Sequence, residues 1–263
     1  MKIGITSTLF GVCDNDVVKE VPRFSRLGFD YIEVVSRNPR SVDTEQLLGV
    51  LGKSDIKVCA ICGWCNYLFQ NPAHENRYVR RAYVDYVKDL VDLSSSVEAG
   101  LVVVSAGIFD KVGREKAYEF SAECLREIGT YASGFSIKIA VEAVSRFVTN
   151  FINRADQALK LVECVDNPSV GITLDTFHMN IEERSLADAI KQAEKSLFHM
   201  HLADNNRLAP GLGHIDFEEI IGQLEAIGYD GNLSLEIQGS DDPEKEAQFG
   251  LNFMKNIVKK ERI

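Results

Sequence analysis

Val170-Gly171-Ile172-Thr173-Leu174-Asp175-Thr176-Phe177-His178-Met179-Asn180 is the stretch from which the fold can be read. Val170, Ile172 and Leu174 alternate with Gly171, Thr173 and Asp175, and a period of two belongs to a β-strand with two unlike faces. The small, polar face ends in a carboxylate. An imidazole, His178, follows three residues later, where strand is expected to give way to loop. A carboxylate delivered to a strand end in this way usually serves a site.

Three further strands repeat the pattern. Ile137, Ile139 and Val141 alternate with Lys138, Ala140 and Glu142; Phe198, Met200 and Leu202 alternate with His199 and His201; Leu233, Leu235 and Ile237 alternate with Ser234 and Glu236. In each, the polar phase carries a side chain able to bind a metal at or near the C-terminal end of the strand.

Outward from these strands the chain reads as β then α, eight times. The expected strands are Lys2–Ser7, Tyr31–Val35, Lys57–Cys62, Leu101–Ala106, Lys138–Val144, the central stretch, Phe198–Ala203 and Leu233–Ile237. Between them lie helical patterns over Asp16–Leu27, Thr44–Leu51, a long one after Pro72, Arg114–Tyr131, Arg154–Cys164 and Ser185–Lys195. Asp216-x-x-Glu219 then resembles a capping box opening a helix to Ile227, and Pro243 opens the last helix. Alternating β and α implies a parallel sheet, and eight units close it into a (β/α)8 TIM barrel, an α/β fold, here expected as one domain over 1–263. The apolar phase then packs under the helices. The other phase (Gly4, Thr6, Glu33, Ala140, Thr173, His199, Ser234) points into the lumen. Glu142, Asp175, His201 and Glu236 crown it on strands five to eight, so they should converge at the C-terminal mouth.

The 263 residues suit one such barrel, and nothing in the chain looks like a linker or a repeat. A net charge of −10 argues against general binding to nucleic acid or anionic membranes. No apolar run approaches the roughly 20 residues needed to span a bilayer. The first ten residues alternate as a strand does and are too interrupted for a signal peptide, so a cytoplasmic protein is expected. Six cysteines in a chain of this length do not suggest a disulfide scaffold. Cys59-x-x-Cys62-x-x-Cys65 has metal-ligand spacing, but an offset of three along a strand sends Cys59 and Cys62 to opposite faces. Trp64, Tyr67 and Phe69 could be a pocket wall or a subunit contact.

Three carboxylates and one imidazole form a mostly hard, oxygen-rich donor set, better suited to Mn²⁺, Mg²⁺ or Co²⁺ than to structural zinc. Such an ion keeps positions free for two substrate oxygens, as an α-hydroxy carbonyl offers, and lowers the acidity barrier at the carbon beside the carbonyl. Glu142 and Glu236 lie on opposite sides of it and can act as an acid/base pair; His178 and Arg207 are the candidate partners of the substrate oxygens. Glu33 faces inward, where it could support the metal ligands from behind, and His199 reads as a hydrogen-bonded lumen residue.

At these residues the chain resembles the sugar phosphate isomerase/epimerase superfamily of xylose isomerase-like barrels, and most closely the ketose 3-epimerases of the D-tagatose/D-psicose type. The resemblance is carried by Glu142 in Ala140-Val141-Glu142-Ala143-Val144-Ser145-Arg146-Phe147, by Leu174 to Glu183, and by His201 in His199-Met200-His201-Leu202-Ala203-Asp204-Asn205-Asn206-Arg207. Pro210-Gly211-x-Gly213-His214-x-Asp216-Phe217 and Glu236 complete it. It implies Glu142, Asp175, His201 and Glu236 as ligands of one Mn²⁺ or Co²⁺ ion, Glu142 and Glu236 as the acid/base pair, and His178 and Arg207 as substrate contacts. The expected activity is inversion of the carbon next to the carbonyl of a ketose or keto sugar acid through a metal-bound cis-enediolate, by a homo-oligomer, dimer or tetramer. Two positions depart from the pattern: Val148 stands where the epimerases usually carry a substrate-holding glutamate, and Ser145 replaces the usual asparagine. Both leave the metal ligands intact and bear on the substrate.

The same site could instead serve an aldose–ketose isomerase, or a dehydratase acting on a keto sugar or inosose. Asp175-x-x-His178 also fits an endonuclease IV-like repair enzyme, but its three-zinc site needs histidines on strands two to four. The five histidines here lie elsewhere.

Overall fold

Hydrogen bonding between successive parallel strands, each starting one βα unit after the last, joins the eighth strand back to the first. The result, in a computed structural model describing residues 1–11, 13–109, 111–238 and 241–260, is a closed barrel in strict chain order. The strands are β1 Lys2–Thr6, β2 Tyr31–Ser36, β3 Lys57–Gly63, β4 Leu101–Ser105, β5 Lys138–Glu142, β6 Val170–Asp175, β7 Leu197–Leu202 and β8 Asn232–Leu235. Outside them run α1 Val17–Leu27, α2 Thr44–Leu51, α3 Arg77–Ser96, α4 Arg114–Ser133 and α5 Ala155–Val165, then α6 Thr176–Glu182, α7 Leu186–Ala193, α8 Phe217–Ala226 and α9 Pro243–Lys260.

Local chemistry sets the helix ends. Asp43, Asn76, Ser185 and Asp216 accept hydrogen bonds from backbone N–H groups in the first turns of α2, α3, α7 and α8, satisfying donors that lack intrahelical partners. Gly28 stops α1 in the left-handed conformation, at φ 85°. Between helices and barrel lies a continuous apolar layer in which Ile5, Ile32, Ile61, Val102, Ile139, Ile172, Met200 and Leu233 are fully buried. A separate interior cluster of Cys59, Ala60, Leu101, Val103 and Ala140 fills the lumen toward its N-terminal end.

Strands five and eight are shorter than alternation predicts, ending at Glu142 and Leu235, so that their glutamates stand at the rim. The expected loop after β6 is instead the short helix α6, because Asp175 caps it by accepting from the N–H groups of Phe177 and His178. The next helix is correspondingly shorter than Ser185–Lys195.

Two register shifts correct the strict period of two. Between β2 and β3 the pairing runs Ile32 with Val58 but Glu33 with Ala60, leaving Cys59 as an extra residue. Cys59 and Cys62 therefore both face the interior, contrary to the opposite faces expected. Cys59 Sγ lies 3.7 Å from Ser234 Oγ on the non-adjacent β8, and Cys62 lines the cavity shared by Glu142 and Glu236. Burial pushes the thiols of Cys59 and Cys65 up to about 12 and that of Cys62 well above its ordinary value, which favours the protonated thiol at all three.

Between β6 and β7, Ile172 pairs with Leu197 but Thr173 with His199, so Phe198 is the extra residue. Its ring enters the lumen rather than joining Met200 under the helices, and it lies over Gly171, where a Cβ would sit 2.6 Å from it. Gly171 is glycine because of that approach.

Candidate active site

His201 is the centre of the C-terminal mouth. Its ring is fully buried, with Nδ1 3.0 Å from Glu142 Oε1 and 2.9 Å from Glu236 Oε2. Glu142 ends β5 and Glu236 follows β8, where its N–H donates to Leu202 O at 3.0 Å and so extends the barrel bonding by one residue. Asp175 is buried at the end of β6. One of its carboxylate oxygens caps α6, and the other accepts from Arg207 Nη1 at 2.5 Å. One ligand atom from each of Glu142, Asp175, His201 and Glu236 lies within 4.8 Å of the others. The four residues taken from strand phase thus meet in one cluster.

Arg207 lines the cavity and bridges two of these acids, with Nη2 3.0 Å from Glu236 Oε2 and its guanidinium 4.8 Å from the Phe177 ring. Its backbone adopts a left-handed conformation, at φ 64°, that few side chains tolerate. Buried Asp204 builds that loop by accepting from the N–H groups of Asn205, Gly211, Gly213 and Ile215 at 2.8–3.1 Å. Gln238 N–H donates to Arg207 O at 2.8 Å. His178 lies on the cavity wall, 7% exposed, with Nδ1 buried and unpartnered. Within the segment Asp175 to Glu183, the terminal acids are structural. Glu182 accepts from Arg146 N, Nε and Nη2, and Glu183 from Ala155 N, tying α6 to the loop that carries Val148.

The cavity at this mouth has a volume of about 470 Å³ and apolar walls that include Val35, Trp64, Val103, Val144, Val148 and Phe177. Trp64 and Tyr67 are wall residues, whereas Phe69 is 67% exposed away from it. A larger hollow of about 850 Å³ opens at the opposite, N-terminal end, with Cys59, Phe198 and His199 among its lining, but the acid cluster is not there.

Sequence reasoning placed Glu33 in the lumen, as a side chain that could support the ligands, without finding its partners. Fully buried on β2, its carboxylate meets His201 Nε2 at 3.0 and 3.2 Å and His199 Nε2 at 2.9 Å. The available signal was its place in the inward phase of Tyr31-Ile32-Glu33-Val34-Val35, where a carboxylate needs a partner.

Electrostatics follow from this packing. Burial alone would raise the Glu33 carboxyl, but His201 and His199 outweigh it and hold Glu33 well below the usual carboxylate range. Burial likewise opposes ionisation of Glu236, and Arg207 and His201 overcome it to keep that acid ionised. Burial works against protonated His201, but Glu33, Glu236 and Glu142 together raise it well above its ordinary value.

A carboxylate with a depressed pKa stabilises the fold above its unfolded value, about 4.3, and loses that contribution as pH falls. An imidazole with a raised pKa stabilises below its unfolded value, about 6.5, and loses it as pH rises toward the folded one. For EDTA-treated protein the cluster is therefore expected to stabilise most between about pH 4.5 and 6.5, and to lose up to about 1.4 kcal/mol per pH unit above that. Urea denaturation across pH measures this. An added divalent ion, which requires neutral His201, should remove the alkaline decline.

The donor set passes the chemical test for a divalent ion. Three carboxylates drawn this close repel one another and need compensating positive charge, and three oxygen donors with one imidazole suit a hard or borderline cation. With fold and cluster in place, comparison with known proteins gives a match to the xylose isomerase-like TIM barrel family over residues 21–257. The chain belongs to that family. Within it the chain is 30% identical over 232 residues to a D-psicose 3-epimerase of Ruminiclostridium cellulolyticum, covering 82% of this chain and 76% of that one. It is 27% identical over 242 residues to a ketose 3-epimerase of Arthrobacter globiformis, covering 90% and 83%. A structure of the D-psicose 3-epimerase of Clostridium cellulolyticum H10 with D-tagatose superposes with a TM-score of 0.88 at 25% identity, covering 98% of this chain and 99% of that one. With the 3-epimerases as its relatives, this xylose isomerase-like barrel is an isomerase-class enzyme. The strands β2, β3 and β4 carry no histidine, the residue a three-zinc repair site would draw from them. No described helix is long and apolar enough to cross a membrane.

Proposed function

We propose that the chain is a metal-dependent ketose 3-epimerase that inverts the carbon next to the carbonyl of a small, neutral ketose. The observation that carries the reading is the convergence of Glu142 and Glu236, from the non-adjacent strands β5 and β8, on the two sides of His201 Nδ1 at the floor of the cavity.

Glu142, Asp175, His201 and Glu236 would hold the ion, with Mn²⁺ preferred and Co²⁺ or Mg²⁺ as substitutes. Bound there, it supplies Lewis acidity that makes the proton beside the carbonyl easier to remove. The chain's own groups do the rest. One glutamate takes the proton from one face of the substrate, and the other returns a proton to the opposite face, giving the 3-epimer through a planar cis-enediolate. Arg207 keeps Glu236 ionised and so ready to accept a proton. His178, on the cavity wall, would bond a substrate oxygen. The apolar walls limit water at the reacting carbon.

Neutral substrates are favoured by charge. Among the described residues lining the cavity Arg207 is the one cation, and its guanidinium is engaged by Asp175 and Glu236. Val148 adds apolar wall where the resemblance to the ketose 3-epimerases implies an acid. A phosphorylated or carboxylated sugar would bring a charge with no free cation to meet it among the described residues lining the cavity. The kcat/KM for a free ketose is expected to exceed that for its phosphate ester by at least about 100-fold, measured by steady-state kinetics.

The test of the reaction is a ketose panel with Mn²⁺ in D₂O, read by NMR. Epimerisation places one deuterium at C3 of the product. Deuterium at the neighbouring carbon would mean aldose–ketose isomerisation, and loss of a hydroxyl would mean dehydration. Turnover without deuterium at C3 would reject the proposal.

A further inference from the structure

The epimerisation makes no use of Glu33, yet among the described residues it is the one acid that touches both lumen histidines. An imidazole offers two nitrogens, and its hydrogen-bond partner on one side decides which of them can be a ligand. His201 turns Nδ1 toward Glu142 and Glu236, and Nε2 toward Glu33. An ionised carboxylate only accepts, so once an ion held by Glu142 and Glu236 occupies the Nδ1 side, neutral His201 would carry its proton on Nε2, toward Glu33, and keep its Nδ1 lone pair for the ion. The other tautomer would set a nitrogen lone pair against both Glu33 oxygens, 3.0 and 3.2 Å away.

Glu33 is itself held from the far side. His199 donates Nε2–H to Oε2 at 2.9 Å, its ring perpendicular to that of His201 at 5.0 Å between centroids. All three side chains have at most 1% exposure, so water does not compete for these bonds. The register shift between β2 and β3 falls beside Glu33, a place where bulges re-aim side chains.

We infer that Glu33 is a positioning residue for the metal site: by accepting His201 Nε2–H, and being pinned by His199, it presents Nδ1 to the ion. The inference rests on the metal-site reading above. Glu33, His199 and His201 also place one donor atom each within 4.8 Å of one another. The hydrogen bonds already satisfy these donors, and an ion there would force His201 to bridge two metals.

The experiment is Mn²⁺ binding by equilibrium dialysis and calorimetry to the wild type, Glu33→Ala, Glu33→Gln and His199→Gln, with circular dichroism to show that each is folded. Wild type should bind one ion. Glu33→Ala should bind it about 10–100-fold more weakly, and Glu33→Gln, whose amide oxygen still accepts the bond, should recover most of that loss. His199→Gln should stay within about threefold of wild type. In ¹⁵N-histidine protein loaded with diamagnetic Mg²⁺, His201 should be protonated at Nε2 in the wild type and lose that single tautomer in Glu33→Ala.

Unchanged affinity in Glu33→Ala would overturn the inference, as would Glu33→Gln binding no better than Glu33→Ala, which would assign the effect to charge. A second ion per chain, lost in His199→Gln, would overturn it by making the triad a metal site. Wild type binding no ion would bring down the metal-dependent function as well, whereas tight wild-type binding with unaffected variants removes only the role of Glu33.

Discussion

Glu142→Gln and Glu236→Gln are each expected to lower kcat/KM for epimerisation by about 10²–10⁴-fold at saturating Mn²⁺, the range over which a positioned acid or base contributes. The two variants should also fail differently. With one carboxylate gone, the other can still remove a proton from its own face and return a solvent deuteron there. Glu142→Gln should therefore exchange the C3 proton of one epimer in D₂O without converting it, and Glu236→Gln that of the other. NMR of each pure epimer measures this directly. The geometry behind it is that the two acids approach His201 Nδ1 from β5 and β8, at 3.0 and 2.9 Å, rather than from neighbouring strands. Loss of exchange from both epimers in both variants, with Mn²⁺ still bound, would reject a two-acid mechanism.

Arg207→Met should destabilise the metal-free protein by about 3–5 kcal/mol, because breaking a buried ion pair by removing one member leaves the remaining charge uncompensated. Here a single guanidinium serves two acids: Asp175, which is fully buried, and Glu236. Burial works against the charge of Arg207, and the two carboxylates overcome it, so its pKa is raised. Methionine keeps much of the packing against Phe177 and isolates the loss of charge. Arg207→Lys should recover only part, since one ammonium cannot span both carboxylates as a planar fork does. Urea denaturation in EDTA is the measurement. A loss below about 1 kcal/mol would place Arg207 with solvent-screened surface pairs. Mn²⁺ should restore part of the lost stability by taking over compensation of Asp175 and Glu236.

Much of the site could be found without coordinates because its residues share a local rule. Glu142, Asp175, His201 and Glu236 stand in the inward phase at the ends of successive strands, and a closed barrel sends such positions to one mouth. Arg207 and His178 could be named as cavity residues, but not Arg207's two-acid bridge, which depends on how the 204–215 loop folds around Asp204. Glu33 could be placed in the lumen, where it could support the ligands, but not matched to its partners. Its partners are 166 and 168 residues away in the chain, and no local pattern links them.

Alternation and its punctuation were enough to establish an eight-unit parallel barrel and the end of it that carries the chemistry, because the period of a strand and the reach of a βα unit depend only on neighbouring residues. Closure decided the remainder. In the closed barrel the register shifts leave Cys59 and Phe198 as extra residues, so that Cys59 shares the interior with Cys62 and Phe198 turns inward against its expected phase. Closure also carries Glu33 across to His199 and His201. Which nitrogen of His201 faces the acids is a matter of contacts between strands far apart in the chain, and those exist only once the barrel has closed.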